Sequence, residues 1–213
     1  MKFVIVFIIS TLIGVGGVFA YHHFTMHPNE PITNIVNTIS QPEFKIENAP
    51  VGSVRGNILQ MNGGIQWTSR TATEASELKT AIVLQQGESI QTEKNSNINI
   101  EFPNETLISV NPETQIDFIQ TLPDNFVASI ASGSANFKKT AVAPVSVRAM
   151  HLLTNLNDGE MYVEIDSDNS LVNINILSGS ITVAYNDNNL ESHVFNFVSG
   201  QKITFNDVTR SFE

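Results

Sequence analysis

Five histidines, twenty-one aspartates and glutamates and no cysteine bound the chemistry open to this 213-residue chain. Without a thiol there is no cysteine nucleophile, disulfide, iron–sulfur cluster or cysteine zinc site. His22, His23 and His27 stand close together in sequence, and imidazoles so spaced can hold a metal ion weakly. No carboxylate or fourth ligand is fixed beside them, so no metal site is expected there. His151 and His193 are the other two. A hydrolase built on either would need a serine and an acid beside the imidazole, yet there is no Gly-x-Ser-x-Gly elbow and no His-Glu-x-x-His run.

The acids read the same way. Glu160 and Glu164 share one face of an alternating run with Tyr162, as residues of a solvated face do. Asp166 and Asp168 form a second close pair. Asn157-Asp158-Gly159-Glu160 and Asp166-Ser167-Asp168-Asn169 gather oxygen ligands of the kind calcium takes, but tight turns require the same residues. The twelve-residue calcium loop with its distal glutamate is missing. Trp67 could stack on a sugar or fill a core with its indole N–H paired; the core is the expectation. No catalytic, cofactor-binding or metal-binding residue is expected, and no cofactor.

The elements that would position these groups are strands. Beyond Val51 the apolar period is two: Asn97 to Phe102, Thr114 to Phe118, Val145 to Val147, Met161 to Ile165, Leu171 to Ile176 and Ile181 to Val183 all alternate. Turn residues separate the runs at Asn62-Gly63-Gly64, Asn157-Asp158-Gly159, Asp166 to Asn169 and Asn186 to Asn189, and the strands flanking each are expected to be hairpin partners. Thr71 to Lys79 reads as a loop. A recurring phrase, an apolar residue then Ser-Gly, appears at Ala131-Ser132-Gly133, Leu177-Ser178-Gly179 and Val198-Ser199-Gly200, with Leu84 to Glu88 as a looser version. The glycine would let the chain turn sharply between short strands. The expected fold is all-β: an irregular solenoid or sandwich of short, mostly antiparallel strands, at uneven intervals.

Phe3 to Tyr21 carries no charge and is nearly long enough to span a hydrocarbon core of about 30 Å. Residues 1–21 are read as a signal anchor, with Lys2 inside and the rest outside; the next basic residue is Lys45. A cleaved signal peptide ending near Val18-Phe19-Ala20 is the alternative, although the run exceeds the roughly 7–15 apolar residues usual for one. Either way the body lies outside the cytoplasm. Residues 22–50, with prolines at 28, 31, 42 and 50, read as a polar linker. The body is 51–213. A net charge of −10 with eleven scattered basic residues excludes nucleic acid as an expected partner.

One run in the body resembles the FecR domain family. It passes from Leu84-Gln85-Gln86-Gly87-Glu88-Ser89-Ile90-Gln91-Thr92 through Ser96, Ile98, Ile100 and Phe102 to the turn Pro103-Asn104-Glu105-Thr106. Leu107 to Val110 and Thr114 to Phe118 follow, with Gly133, Ile176 to Val183 and Ser199-Gly200-Gln201-Lys202 downstream. The resemblance covers about residues 51–206. It departs at Asn104, where the family has glycine, and at Asp158-Gly159-Glu160, where a Gly-Thr pair is usual. It implies a structural role for Gly87, Glu88, Thr92, Gly133, Gly179 and Gly200. It also implies an extracytoplasmic module for protein interaction or ligand sensing, often on a single-pass anchor. Regulators of this family carry a cytoplasmic anti-sigma segment before the membrane helix and a small signalling domain after the FecR portion. Only Met1 and Lys2 precede the apolar run here, so neither part is expected. The expected function is non-enzymatic, with the membrane and another envelope or surface protein as partners. A structural or adhesive surface module and a secreted hydrolase on a β scaffold are the alternatives.

Overall fold

The computed structural model describes residues 47–140 and 142–213. The segment read as an anchor, 1–21, and the linker as far as residue 46 lie outside the described residues. Among the described residues no helix is long and apolar enough to cross a membrane. Everything regular in them is strand, as the period of two requires.

Fifteen strands form one hydrogen-bonded sheet that folds into two layers. The chain begins with β1 (Gly56–Asn62), β2 (Ile65–Thr68), β3 (Ser76–Glu77), β4 (Val83–Leu84), β5 (Ser89–Thr92), β6 (Asn97–Phe102), β7 (Thr106–Val110) and β8 (Gln115–Leu122). It continues with β9 (Asn125–Lys139), β10 (Val145–Ala149), β11 (Leu152–Asp166), β12 (Leu171–Asn186), β13 (Ser192–Val198), β14 (Lys202–Asn206) and β15 (Ser211–Phe212). In the first layer β3, β2, β5 and β8 pair in succession and lead to the first half of β9. From there the order is β10, the first half of β11, the second half of β12, and β13. In the second layer β4, β1, β6 and β7 lead to the second half of β9. The second half of β11, the first half of β12, β14 and β15 complete it. The β9–β10 pair is parallel; the other pairings among the described residues are antiparallel.

The strands were expected to be short, and three are not: β9 and β11 have 15 residues and β12 has 16. Each serves both layers and bends once. The bends fall at Gly133, Gly159 and Gly179, with φ of +78°, +83° and +75°. Only glycine takes such values without strain, and here it also gives room. A Cβ on Gly133 would lie 2.3 Å from Thr114 Oγ1 and 2.5 Å from the Glu113 carbonyl, and one on Gly179 2.2 Å from the Asp158 carbonyl. Gly159 sits opposite Gly179 between two register shifts, so β11 and β12 bend together.

Three expectations are corrected by this. The Ser-Gly phrase at Gly133 and Gly179 bends a continuing strand instead of ending one, because the sheet has to pass from layer to layer there. At Gly200 it does make a turn, between β13 and β14. Asn157-Asp158-Gly159 lies inside β11 and makes no hairpin. Asn62-Gly63-Gly64 joins β1 to β2, which belong to different layers and do not pair. The other two turns close hairpins as expected, Asp166 opposite Leu171 and Asn186 opposite Ser192. Thr71 to Lys79 is a loop apart from the two-residue β3.

Alternation puts one face of each layer inward, and the apolar faces meet in a single core. Phe102 of the second layer touches Phe118 and Phe126 of the first, with ring centroids 5.0 and 4.9 Å away. Each such ring, fully buried, contributes about 2–3 kcal/mol. Trp67 is half-buried and packs on this core, as expected, but its indole Nε1–H is buried without a hydrogen-bond partner among the described residues. Where β9 bends, the polar backbone is satisfied by buried hydroxyls. Thr114 N–H donates to Thr92 Oγ1 at 3.0 Å, and Ser134 N–H donates to Thr114 Oγ1 at 2.8 Å. Thr114 Oγ1 donates to the Ser134 carbonyl at 3.0 Å.

Candidate functional site

Three turns converge near His151 and His193. Met150-His151 joins β10 to β11, residues 187–191 join β12 to β13, and residues 207–210 join β14 to β15. Short polar links stitch them together. Asn188 Nδ2 donates to the Val208 carbonyl at 3.2 Å, and an Arg210 guanidinium N–H donates to the Asn186 carbonyl at 3.2 Å. Asp207 Oδ1 accepts the backbone N–H of His151 at 3.1 Å.

Each imidazole faces an aspartate. His151 Nδ1 lies 2.9 Å from Asp207 Oδ2, and His193 Nε2 lies 3.0 Å from Asp187 Oδ2. The Asp187 carboxyl is held below the usual carboxylate range, first by its hydrogen bond to His193, then by the N–H groups of Glu191 and Asn189. Tyr185 stacks on the His193 ring, with centroids 5.2 Å apart and planes 26° apart. Both histidines, with Tyr185, Ser192 and Val194, line a shallow open depression of about 250 Å³.

A hydrolase would need a hydroxyl hydrogen-bonded to one of these imidazoles. Ser192 lines the depression, but its Oγ donates to Asn186 Oδ1 at 2.8 Å. In each Asp–His pair the aspartate orients the imidazole ring. The imidazoles are nevertheless not isolated, and their aspartate partners escaped the sequence reading. Asp187 sits in the turn that opens toward His193, a local signal that was available. Asp207 is 56 residues from His151, and only the fold brings them together.

The other acids that the sequence singles out behave as turn and surface groups. Asp166 accepts from Asn169 N–H and Nδ2, which lowers its pKa, and Asp158 accepts from Ser180 Oγ at 2.7 Å. Glu160 accepts from Asn136 Nδ2 at 2.6 Å. Tyr162, Glu164, Asn173, Asn175, Lys202 and Thr204 border a second shallow depression of about 230 Å³ on the outer face of the second layer.

The residues that carry the FecR resemblance are structural pins. Gly87 has φ +83° and donates to the Phe118 carbonyl at 2.6 Å. Glu88 is buried, and its carboxylate accepts the Gln85 N–H at 2.9 Å. Thr92, Gly133 and Gly179 belong to the bends described above. Gly200, at φ +84°, donates to the Ile176 carbonyl at 2.9 Å. Asn104, which stands where the family has glycine, takes φ +59°, one of the few left-handed positions that asparagine tolerates.

The edge beside these turns is open. Among the described residues β13 pairs with β12 alone. Val194, Phe195 and Val198 on it are 63, 41 and 56% exposed. Phe195 and Phe197 lean on Phe212 at 5.4 and 5.5 Å between centroids, and Tyr185 touches Phe205 at 4.9 Å.

No family model matches the sequence, and no curated protein matches it. Two crystal structures of a candidate anti-sigma factor from Parabacteroides distasonis, at 2.50 and 1.65 Å resolution, are similar in backbone over part of their length. Identities are 16 and 15%, and the TM-score is 0.49 for both. The match covers 59% of this chain and 57% of those chains, so this chain spans a little over half the length of the structures it resembles.

Proposed function

We propose that this chain is a non-enzymatic interaction domain of the cell envelope, held outside the cytoplasm by its apolar N-terminal segment. In this reading it takes an extended segment of another envelope protein along the free edge of β13. The observation that carries it is the composition of that edge. Native sheets blunt their edges with lysine, proline, inward charges or a covering loop. β13 reads Ser192-His193-Val194-Phe195-Asn196-Phe197-Val198, with no proline, lysine, arginine, aspartate or glutamate. The backbone edge beside exposed Val194 and Phe195, which faces no strand among the described residues, suits strand addition, in which main-chain bonds supply affinity and alternate side chains supply choice of partner. The FecR resemblance and the uncharged run from Phe3 to Tyr21 support the compartment.

Photo-crosslinking in cells tests this. A photoreactive residue at Val198 is expected to yield a discrete adduct with one envelope protein, and the same residue at exposed Glu74 is expected to yield none. Phe195→Lys should then reduce the Val198 adduct by about tenfold, since it places a charge in the apolar strip. Equal adducts at both positions, or a body found in the cytosolic fraction, would defeat the proposal. An adduct only with material from outside the cell would favour the adhesive alternative.

A further inference from the structure

The hairpin that carries β13 also carries three metal-type donors. We propose that Asp187, Glu191 and His193 form a binding site for a divalent first-row transition ion, with zinc as the natural probe. The sequence alone pointed to no such set, because it did not bring Glu191 and Asp187 to one imidazole.

Each of the three residues offers one donor atom, and these atoms lie within 4.8 Å of one another. His193 Nε2 and Asp187 Oδ2 are already 3.0 Å apart. Two ligands of a tetrahedral zinc, with bonds of about 2.0–2.1 Å, sit about 3.3 Å from each other, so this pair needs almost no movement. Both donors are aimed by their surroundings. Asp187 Oδ1 accepts the N–H groups of Asn189 and Glu191 at 2.8 and 2.9 Å, which leaves Oδ2 toward the ring. Tyr185 stacks on the imidazole and fixes its plane. Glu191 is exposed, and rotation of its side chain closes the remaining distance.

An ordinary ion pair accounts for Asp187 and His193 but not for the third member. Glu191 brings a second carboxylate to the same imidazole, and a bound cation would relieve the repulsion between the two. A nitrogen donor argues against calcium and magnesium, which take oxygen, and favours zinc and its neighbours. Water fills the remaining coordination positions in such an open site.

The test uses the full chain with His22, His23 and His27 changed to alanine, so that the histidines of the body report alone. Zinc titration against a chromophoric competitor is expected to show one ion per chain. His193→Phe keeps a ring against Tyr185 and removes the donor. Asp187→Asn keeps the acceptor for the two turn N–H groups. Each is expected to weaken zinc binding by about tenfold or more, while His151→Ala changes it by less than about twofold. Far-UV spectra confirm that the variants fold, and if one does not, the other decides. No uptake by the parent, equal affinity in the folded variants, or an equal loss with His151→Ala would overturn the site.

Discussion

β6 and β13 have nearly the same length, yet they do opposite things. Asn97-Ile98-Asn99-Ile100-Glu101-Phe102 lies between β1 and β7 and buries every second residue completely. Among the described residues, Ser192 to Val198 has a neighbouring strand on one side and buries none of its seven residues fully. The clean period of two in β6 marks one-sided burial, and the adjacent pairs Val194-Phe195 and Phe197-Val198 break it in β13. The interior strand holds the layers together; the edge strand leaves Val194, Phe195 and Val198 exposed among the described residues. The two regions also differ in how they handle polar groups. Near β6 these are buried hydroxyls satisfied by backbone, and near β13 they are exposed Asp–His pairs.

The largest expected contrast sets Phe102→Ala against Phe195→Ala. The first removes a buried ring that touches Phe118 and Phe126 and should cost about 3–5 kcal/mol in urea unfolding. The second trims an exposed side chain and should cost about 1 kcal/mol or less. Equal losses would mean that the edge belongs to the core after all. Next come the left-handed glycines. Gly133→Ala meets Thr114 and Glu113 and should lose more than about 2 kcal/mol. Gly200→Ala, at a similar φ with nothing within 4 Å, should lose about 1 kcal/mol.

The smallest contrast is one of sign with pH. Glu105 is 3% exposed with Oε2 unpartnered, and burial pushes its pKa up, helped by Asp124 and opposed by Lys139. A raised carboxyl contributes stability that is complete below its unfolded pKa and is lost as pH rises through the folded value. Glu105→Gln should therefore gain on the parent as pH rises toward 8. Asp166, lowered by Asn169, runs the other way: its contribution is present above the unfolded pKa and is lost as pH falls through the folded one. The advantage of the parent over Asp166→Ala should fade in acid. Thermal unfolding across pH reads both.

The all-β class and most strand positions were legible because one-sided burial writes itself as alternation. β6 matches the run read from sequence, and Asp166 to Asn169 and Asn186 to Asn189 closed their hairpins. The long strands were not legible. Ser-Gly is compatible with a turn or with a bend in a continuing strand, and only long-range pairing, such as Gly159 opposite Gly179, decides between them. The Asn62-Gly63-Gly64 step misled for the same reason, since turn chemistry says that the chain changes direction but not which layer it enters. The turn cluster was half visible. Both histidines stood out, but Asp207 arrives through β14, and no local pattern ties it to His151.

Between residues 125 and 186, β9, β11 and β12 each run through both layers. A fragment carrying one layer would therefore have to sever backbone that the other layer needs. Neither layer is expected to melt while its counterpart survives, which coincident unfolding transitions by two probes would check. The body gains or loses its native form as one cooperative whole.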